Sequence, residues 1–332
     1  MSDSIRAKIT AVGHHLPEDR LTNRDLEEMV ETNDEWIQSR TGISERRILK
    51  DSDKATAFMG TRAAQEALDR RGMKASELDA IIFATVTPDY LFPATACLVQ
   101  ERLGADNAFG FDLSAACSGF LFALSTGATY VESGRCEKVM VIGADKMSSI
   151  VDYEDRSTCI LFGDGAGAVI LEPSDDGHGI IDFVQHVEGD TARSLYQPAG
   201  GSLNPASEET VRKRMHYAKQ DGRTVFKRAI VGMADVSLEI MRRNGLEADD
   251  VAWLVPHQAN KRIIDATARR MGLDESKVMV NIDKYGNTTA ATIPLCLYDW
   301  GGELVPGDNI ILSAFGGGYT WGAIYLTWGI TS

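Results

Sequence analysis

The chain has 332 residues, 44% of them hydrophobic and 25% charged, enough to bury a sizeable core in roughly two domain-sized units and unlike the composition of a disordered chain. Its 34 Lys and Arg against 48 Asp and Glu give a net charge of −14, which opposes global attraction to nucleic acid or anionic membrane. Five cysteines with no C-x-x-C pair argue against both a disulfide scaffold and a zinc module.

From the start of the chain, residues 1–20 carry Asp3, Arg6, Lys8, Glu18 and Asp19 and no apolar signal core, and no stretch approaches about 18 apolar residues. The expectation is a soluble, cytoplasmic protein with reduced thiols. Residues 55–71 show a helical pattern and residues 80–87 a β-rich run; the same alternation recurs with a helix over 118–133 and strands over 138–144 and 168–172. This is the mark of an α/β chain with largely buried sheets.

Cys117 sits in Phe111-Asp112-Leu113-Ser114-Ala115-Ala116-Cys117-Ser118-Gly119-Phe120, where a strand-like run gives way to small residues and then to an apolar helix. A thiol there faces a helix N-terminus, whose unpaired N–H groups and positive dipole end favour thiolate. A small buried hydrophobe is the alternative for Cys117 and the expected role of Cys97, Cys136, Cys159 and Cys296. Phe162-Gly163-Asp164-Gly165-Ala166-Gly167 resembles a dinucleotide loop, but a strand-like run follows it instead of a helix, so it fails the context that motif needs. Pro, Ser, Asp and Gly cluster over residues 173–179 and mark a joint. Residues 189–210, with Gly200-Gly201, Pro198 and Pro205, read as an irregular loop.

Residues 211–228 hold Arg212, Lys213, Arg214, Lys219, Arg223, Lys227 and Arg228 against Asp221 alone, a local charge of +6 (7 − 1) in an acidic chain. His257 follows the apolar run Trp253-Leu254-Val255-Pro256 and so stands at a strand's C-terminal end, where chemistry collects in α/β sheets. The remaining histidines lie among polar residues and read as surface positions. On the next helix, Arg262 and Arg269 share one face at i and i+7, opposite Ile264, Ala268 and Met271. Asn287 lies in Tyr285-Gly286-Asn287-Thr288-Thr289-Ala290, a turn opening a helix, where a helix N-cap is its ordinary alternative. Phe315-Gly316-Gly317-Gly318-Tyr319 ends a strand with three glycines that let backbone approach a ligand and offer N–H groups to an oxyanion; a simple tight turn is the alternative.

The second half of the chain also echoes the first. Residues 139–144, then Phe162-Gly163-Asp164-Gly165 and 168–171, are matched by residues 309–314, then Phe315-Gly316-Gly317-Gly318 and 323–326; residues 80–85 precede Cys117 as residues 252–256 precede Asn287. A duplication follows, with halves 1–173, carrying the cysteine, and 174–332, carrying the His/Asn pair and the glycine loop.

With Cys117, His257 and Asn287 in that order beside the glycine loop, the chain resembles the thiolase-superfamily condensing enzymes, and specifically the β-ketoacyl-acyl-carrier-protein synthase III family over essentially its full length. Asn33-Asp34-Glu35-Trp36-Ile37 with Arg40-Thr41-Gly42-Ile43, residues 162–168, 255–260, Gly286-Asn287-Thr288 and 315–322 carry the resemblance. It implies a duplicated five-layered α/β/α/β/α fold and a catalytic triad on Cys117, His257 and Asn287. Asn287 where elongating synthases have a second histidine points to the initiating type, and Gly316 to Gly318 lack the second cysteine of thiolases. By the same resemblance, Cys117 takes an acyl group from acyl-CoA, with the N–H groups of Cys117 and Gly317 as oxyanion hole. Malonyl-acyl-carrier protein then loses CO2 while His257 and Asn287 donate to the enolate oxygen, and no metal or redox cofactor is needed.

The resemblance also assigns substrate contacts. Trp36 and Arg156 match residues that sandwich the CoA adenine, Arg40 and Thr32 match neighbours of that nucleotide, and Asn260 matches a pantetheine contact; at Arg223 the family carries asparagine. Phe92 matches the residue that crosses a homodimer interface to close the acyl tunnel, which implies a short primer. Arg262 matches the arginine that docks the acyl-carrier protein, with Lys227 and Arg269 beside it. Rival readings are a ketosynthase or acyltransferase of secondary metabolism, a Cys-His-Asn acyl-CoA hydrolase and a non-enzymatic acyl-CoA binding protein; type III polyketide synthases and hydroxymethylglutaryl-CoA synthases are longer chains.

Overall fold

The structure, a computed structural model, describes residues 5–189 and 193–330. Two sheets form the frame. The first runs in the order Arg6–His15, Gly165–Ser174, Val139–Asp145, Ala80–Ala84, Phe109–Leu113; the second in the order Gly179–Val187, Thr320–Thr327, Asn309–Gly316, Trp253–Pro256. In each sheet the middle of the first three strands named is antiparallel to both its neighbours and the fourth is parallel to the third. The same topology is thus used twice, with Phe109–Leu113 added at one edge of the first sheet.

Period-2 patterning explains the layers. Val139 and Val141 face the space between the sheets, as do Ile310 and Leu312, while Met140 and Ile142 face one outer layer and Ile311 the other. The helices Gly119–Glu132 and Thr292–Asp299 fill the central layer. Between two apolar sheets a helix has no wet side, which is why Phe120, Leu121, Leu124 and Ala128 are all buried. Outside the first sheet, Met59, Ala63, Ala64, Ala67 and Leu68 of the helix Thr56–Arg71 pack on Ile81 and Phe83. Outside the second, Val236 and Ile240 of Gly222–Arg243 and Ile264 and Ala268 of Lys261–Met271 pack on Leu254 and Ile311. The result is the five-layered α/β/α/β/α thiolase fold. Among the described residues no helix is long and apolar enough to cross a membrane.

The strand expected over 80–87 ends at Ala84; Thr85 N–H still donates to Leu113 O, but the Thr85 hydroxyl and the N–H groups of Val86 and Thr87 turn to the Asp145 side chain instead of a neighbouring strand. The strand expected over 168–172 is longer, Gly165–Ser174, and its glycines have a packing reason: a Cβ on Gly167 would lie 2.6 Å from Pro294 of the central helix. Within 189–210, residues 190–192 lie outside the described residues; Leu195–Tyr196 pairs with Lys219–Gln220, and Glu208–Arg212 forms a short helix. All five histidines read as surface positions, His14, His15, His178, His186 and His216, are half-buried. His14 Nδ1 lies 2.7 Å from the Glu66 carboxylate and its ring stacks on Tyr298, and burial pushes His15 down to about 4. Cys97, expected inside, is exposed.

Candidate active site

Two turns at strand ends and one between short helices meet at one cleft. The first follows Phe109–Leu113: Ala116 takes φ +47°, and Cys117 sits in the 3-10 turn Ala116–Ser118 that leads into the central helix Gly119–Glu132. The Ser118 hydroxyl donates to the Thr320 carbonyl at 2.9 Å and the Thr320 hydroxyl to the Ala115 carbonyl at 2.7 Å, so the second sheet holds the cysteine turn from behind. Gly316 makes that approach possible, since a Cβ there would lie 2.6 Å from the Cys117 nitrogen.

The second turn places His257 just after Trp253–Pro256, where its N–H donates to Ser313 O at 2.7 Å. The third places Asn287 between residues 161 and 163: its N–H donates to Leu161 O at 2.8 Å, and Gly163 N–H donates to Asn287 O at 3.1 Å. Cys117, His257 and Asn287 are 7%, 1% and 6% exposed and together line a cavity of about 180 Å³, with Asn260, Phe226 and Leu195 among its other walls. A second, mainly apolar cavity of about 210 Å³, lined by Val86, Met147, Ile150 and Gly317, also reaches Cys117.

Burial controls the protonation of these groups. It pushes the Cys117 thiol up to about 12, with the nearby Asp145 carboxyl acting in the same direction; the Asn287 side chain and the Cys117 main chain hydrogen-bond the sulfur and pull the other way. Burial thus works against the thiolate expected at the helix N-terminus and favours the protonated thiol, because a lone negative charge is costly away from water. Burial likewise pushes His257 down to about 3, so the ring is neutral. Its Nδ1 is 2.7 Å from the Thr292 hydroxyl oxygen, which is also 3.1 Å from Thr289 O. The single Thr292 hydroxyl proton goes either to Nδ1, leaving the ring proton on Nε2, or to Thr289 O, with Nδ1–H donating to the hydroxyl.

Most of the other expected residues flank the cavity, whereas Arg269, near the far end of the helix Lys261–Met271, lines a separate surface pocket with Trp300. Arg156 stacks on Trp36 with its guanidinium carbon 5.0 Å from the ring centroid, and it also donates to Glu31 O at 2.9 Å. The Thr32 hydroxyl is buried with no hydrogen-bond partner among the described residues. Asn260 caps the helix Lys261–Met271, accepting from Arg262 N–H at 3.0 Å, and donates to Arg40 O at 2.8 Å, so it joins the mouth to the Trp36 helix. Arg40, Arg223, Lys227, Arg262 and Arg269 are exposed, and Arg262 stacks on Phe226 at 4.9 Å. The basic run over 211–228 is less positive than its sequence: Arg228, Lys213, Arg214 and Lys219 pair with Glu188, Glu209, Asp152 with Glu154, and Asp152. Arg212, Arg223 and Lys227 have no ion pair among the described residues. Phe92 is 85% exposed and lies outside both cavities.

Sequence reasoning missed Asp145, Thr289 and Thr292. Asp145 alone left a signal, as an acidic residue at the C-terminal end of an apolar strand.

Comparison with known proteins agrees with this geometry. The profile described as 3-Oxoacyl-[acyl-carrier-protein (ACP)] synthase III matches residues 111–189, and that of its C-terminal part matches residues 241–328. The β-ketoacyl-[acyl-carrier-protein] synthase III of Chlorobaculum tepidum is 58% identical over 328 residues, covering 98% of this chain and 100% of that one. The Porphyromonas gingivalis protein of the same name is 52% identical over 326 residues, covering 98% and 97%. Among solved structures, the Aquifex aeolicus synthase III superposes with a TM-score of 0.89 at 45% identity, covering 97% of this chain and all of that one. The priming β-ketosynthase of the R1128 polyketide pathway gives 0.89 at 33%, covering 98% and 97%.

Proposed function

The chain belongs to the 3-oxoacyl-[acyl-carrier-protein] synthase III family, the condensing acyltransferases that initiate fatty-acid chains, and we propose that Cys117, His257 and Asn287 divide its reaction into two chemically separate halves. In the first, Cys117 Sγ attacks the thioester carbonyl of an acyl-CoA. The N–H groups of Cys117 and Gly317 hold the oxyanion, the bond to CoA sulfur breaks, and the thiol proton ends on that sulfur. In the second, the malonyl group on acyl-carrier protein loses CO2 and its electron pair moves toward the thioester oxygen. His257 Nε2–H and the Asn287 amide donate to that oxygen. The enolate carbon then attacks the acyl-cysteine carbonyl, and the released sulfur is reprotonated. Neither step calls for a resident metal or redox group; CoA enters as substrate.

The observation that carries this reading is the meeting of a buried thiol, a neutral imidazole and a carboxamide in one cavity of about 180 Å³. The mouth fits the other half of each substrate. Trp36 and Arg156 offer stacking faces to adenine, Arg40 and Thr32 flank them, Asn260 lies on the pantetheine path, and Arg262 and Lys227 present positive charge to an acidic carrier protein. We read the chain as two halves, 1–173 and 174–332, acting in the cytoplasm as a homodimer. Dimerisation is supported by the edge strand Phe109–Leu113, with Phe109 47% exposed, and by the apolar loop Tyr90, Leu91 and Phe92 at 60%, 84% and 85% exposed. A partner's copy of Phe92 closing the apolar cavity sets a short acyl or small branched primer.

The test is the intact mass of the enzyme after incubation with a series of acyl-CoAs, followed by malonyl-acyl-carrier protein. Short acyl groups should appear on Cys117 and be discharged as 3-oxoacyl product. Phe92→Ala should move the series toward longer chains; a label on another residue, or release of free acid, contradicts the reading.

A further inference from the structure

Asp145 ends the strand Val139–Asp145 and is completely buried, and among the described residues no cation pairs with it. Hydrogen-bond donors from both halves of the chain take the place of a cation. Oδ1 receives the hydroxyls of Thr85 and Thr87, each at 2.9 Å, and the N–H groups of Val86 at 2.8 Å and Thr87 at 3.1 Å. Oδ2 receives the Thr289 hydroxyl and, at 3.4 Å, the Ala290 N–H. Main-chain N–H groups can only donate and so favour the acceptor-only carboxylate, while burial, the larger influence, pushes the Asp145 carboxyl up from its ordinary range.

The grip on Thr289 reaches the reacting groups. Thr289 has φ +52°, a conformation that β-branched residues rarely adopt, and Asp145 holds both its hydroxyl and the N–H that follows it. In that conformation the Thr289 N–H donates to Asn287 Oδ1 at 2.9 Å. An amide whose oxygen is engaged on one side must turn its NH2 to the other, here toward Cys117, which the Asn287 side chain hydrogen-bonds.

We infer that Asp145 is a positioning residue for the condensation half-reaction: by holding the Thr289–Ala290 turn it fixes the face that the Asn287 amide presents to the cavity. The inference rests on the reading of Asn287 as an enolate donor. Asp145 touches neither substrate nor reacting atoms; its effect passes through Thr289.

The test uses the full-length enzyme and two readouts: CO2 release from malonyl-acyl-carrier protein and acyl-enzyme formation by intact mass. Thr289→Ala removes the hydroxyl that Asp145 holds. Decarboxylation should fall at least tenfold more than acylation, and Thr289→Ser should recover decarboxylation to within about threefold of the parent. Asp145→Asn should show the same imbalance. If Asp145→Asn fails to fold, the two Thr289 variants decide the matter. Equal losses in both half-reactions of Thr289→Ala, or none, overturn the inference. Asn287→Ala run alongside separates the two readings: normal decarboxylation there removes the role of Asn287 itself, whereas a decarboxylation defect there without one in Thr289→Ala removes only that of Asp145.

Discussion

The floor and the mouth of the cleft follow opposite electrostatic rules. At the floor, Cys117, His257 and Asn287 are nearly inaccessible, burial favours the neutral thiol and the neutral imidazole, and the carboxyl behind them, Asp145, is held by hydrogen bonds without a counter-ion among the described residues. At the mouth, Arg40, Arg223, Lys227 and Arg262 stand in solvent. In the dry floor a single misdirected donor is costly, because nothing screens or replaces it. In the wet mouth each charge contributes about 0–1 kcal/mol and salt screens it. Chemistry and recognition should therefore respond to different perturbations and by different amounts.

The largest effect belongs to the floor. Cys117→Ala should form no acyl-enzyme adduct by mass and should lower condensation by a factor on the order of 10⁴ or more, as loss of a covalent nucleophile does. It should still decarboxylate malonyl-acyl-carrier protein, because the enolate donors remain. At the mouth, reversing one charge is milder. Arg262→Glu should weaken use of carrier-bound malonate roughly tenfold while acylation by acyl-CoA changes little, and added salt should reproduce the effect in the parent enzyme. Equal loss in both half-reactions would erase the distinction between the regions. Smaller still, Trp36→Ala should raise KM for acyl-CoA by roughly 2- to 30-fold, the range of about 0.5–2 kcal/mol for a cation–π stack, with kcat held. A fall in kcat instead would tie Trp36 to the chemistry of the floor.

The two regions also differed in how legible they were in the sequence. Cys117, His257 and Asn287 announce themselves because each sits where an apolar strand or a glycine turn gives way to a helix, and the paired strand patterns around them disclosed the duplicated fold. The sheets were legible for the same reason: residues such as Val139 to Ala144 are buried on both faces and leave a continuous apolar run. Protonation was not legible. The helix N-terminus before Phe120 suggested thiolate, but how far the site is desolvated depends on Leu195, Phe226 and Phe315, which arrive from distant parts of the chain. The positive run over 211–228 overstated the patch, since the partners that neutralise Arg214 and Arg228, Asp152 and Glu188, are remote in sequence. Thr289 and Thr292 were invisible, as two ordinary threonines whose meaning comes only from Asp145 and His257 across the fold.

The central claim is that the nucleophile and the two donors serve separate steps, and the most direct measurement is the half-reaction balance of His257→Ala and Asn287→Ala. Each lost donor should slow malonyl decarboxylation by roughly 10²–10³, the effect of about 2.7–4 kcal/mol for one oxyanion contact. Both variants should still gain an acyl group on Cys117 from acyl-CoA, within about tenfold of the parent rate, as read by intact mass over time. If His257→Ala abolishes the adduct as completely as Cys117→Ala does, the imidazole is the obligatory base for the buried thiol and the division between the two steps is wrong.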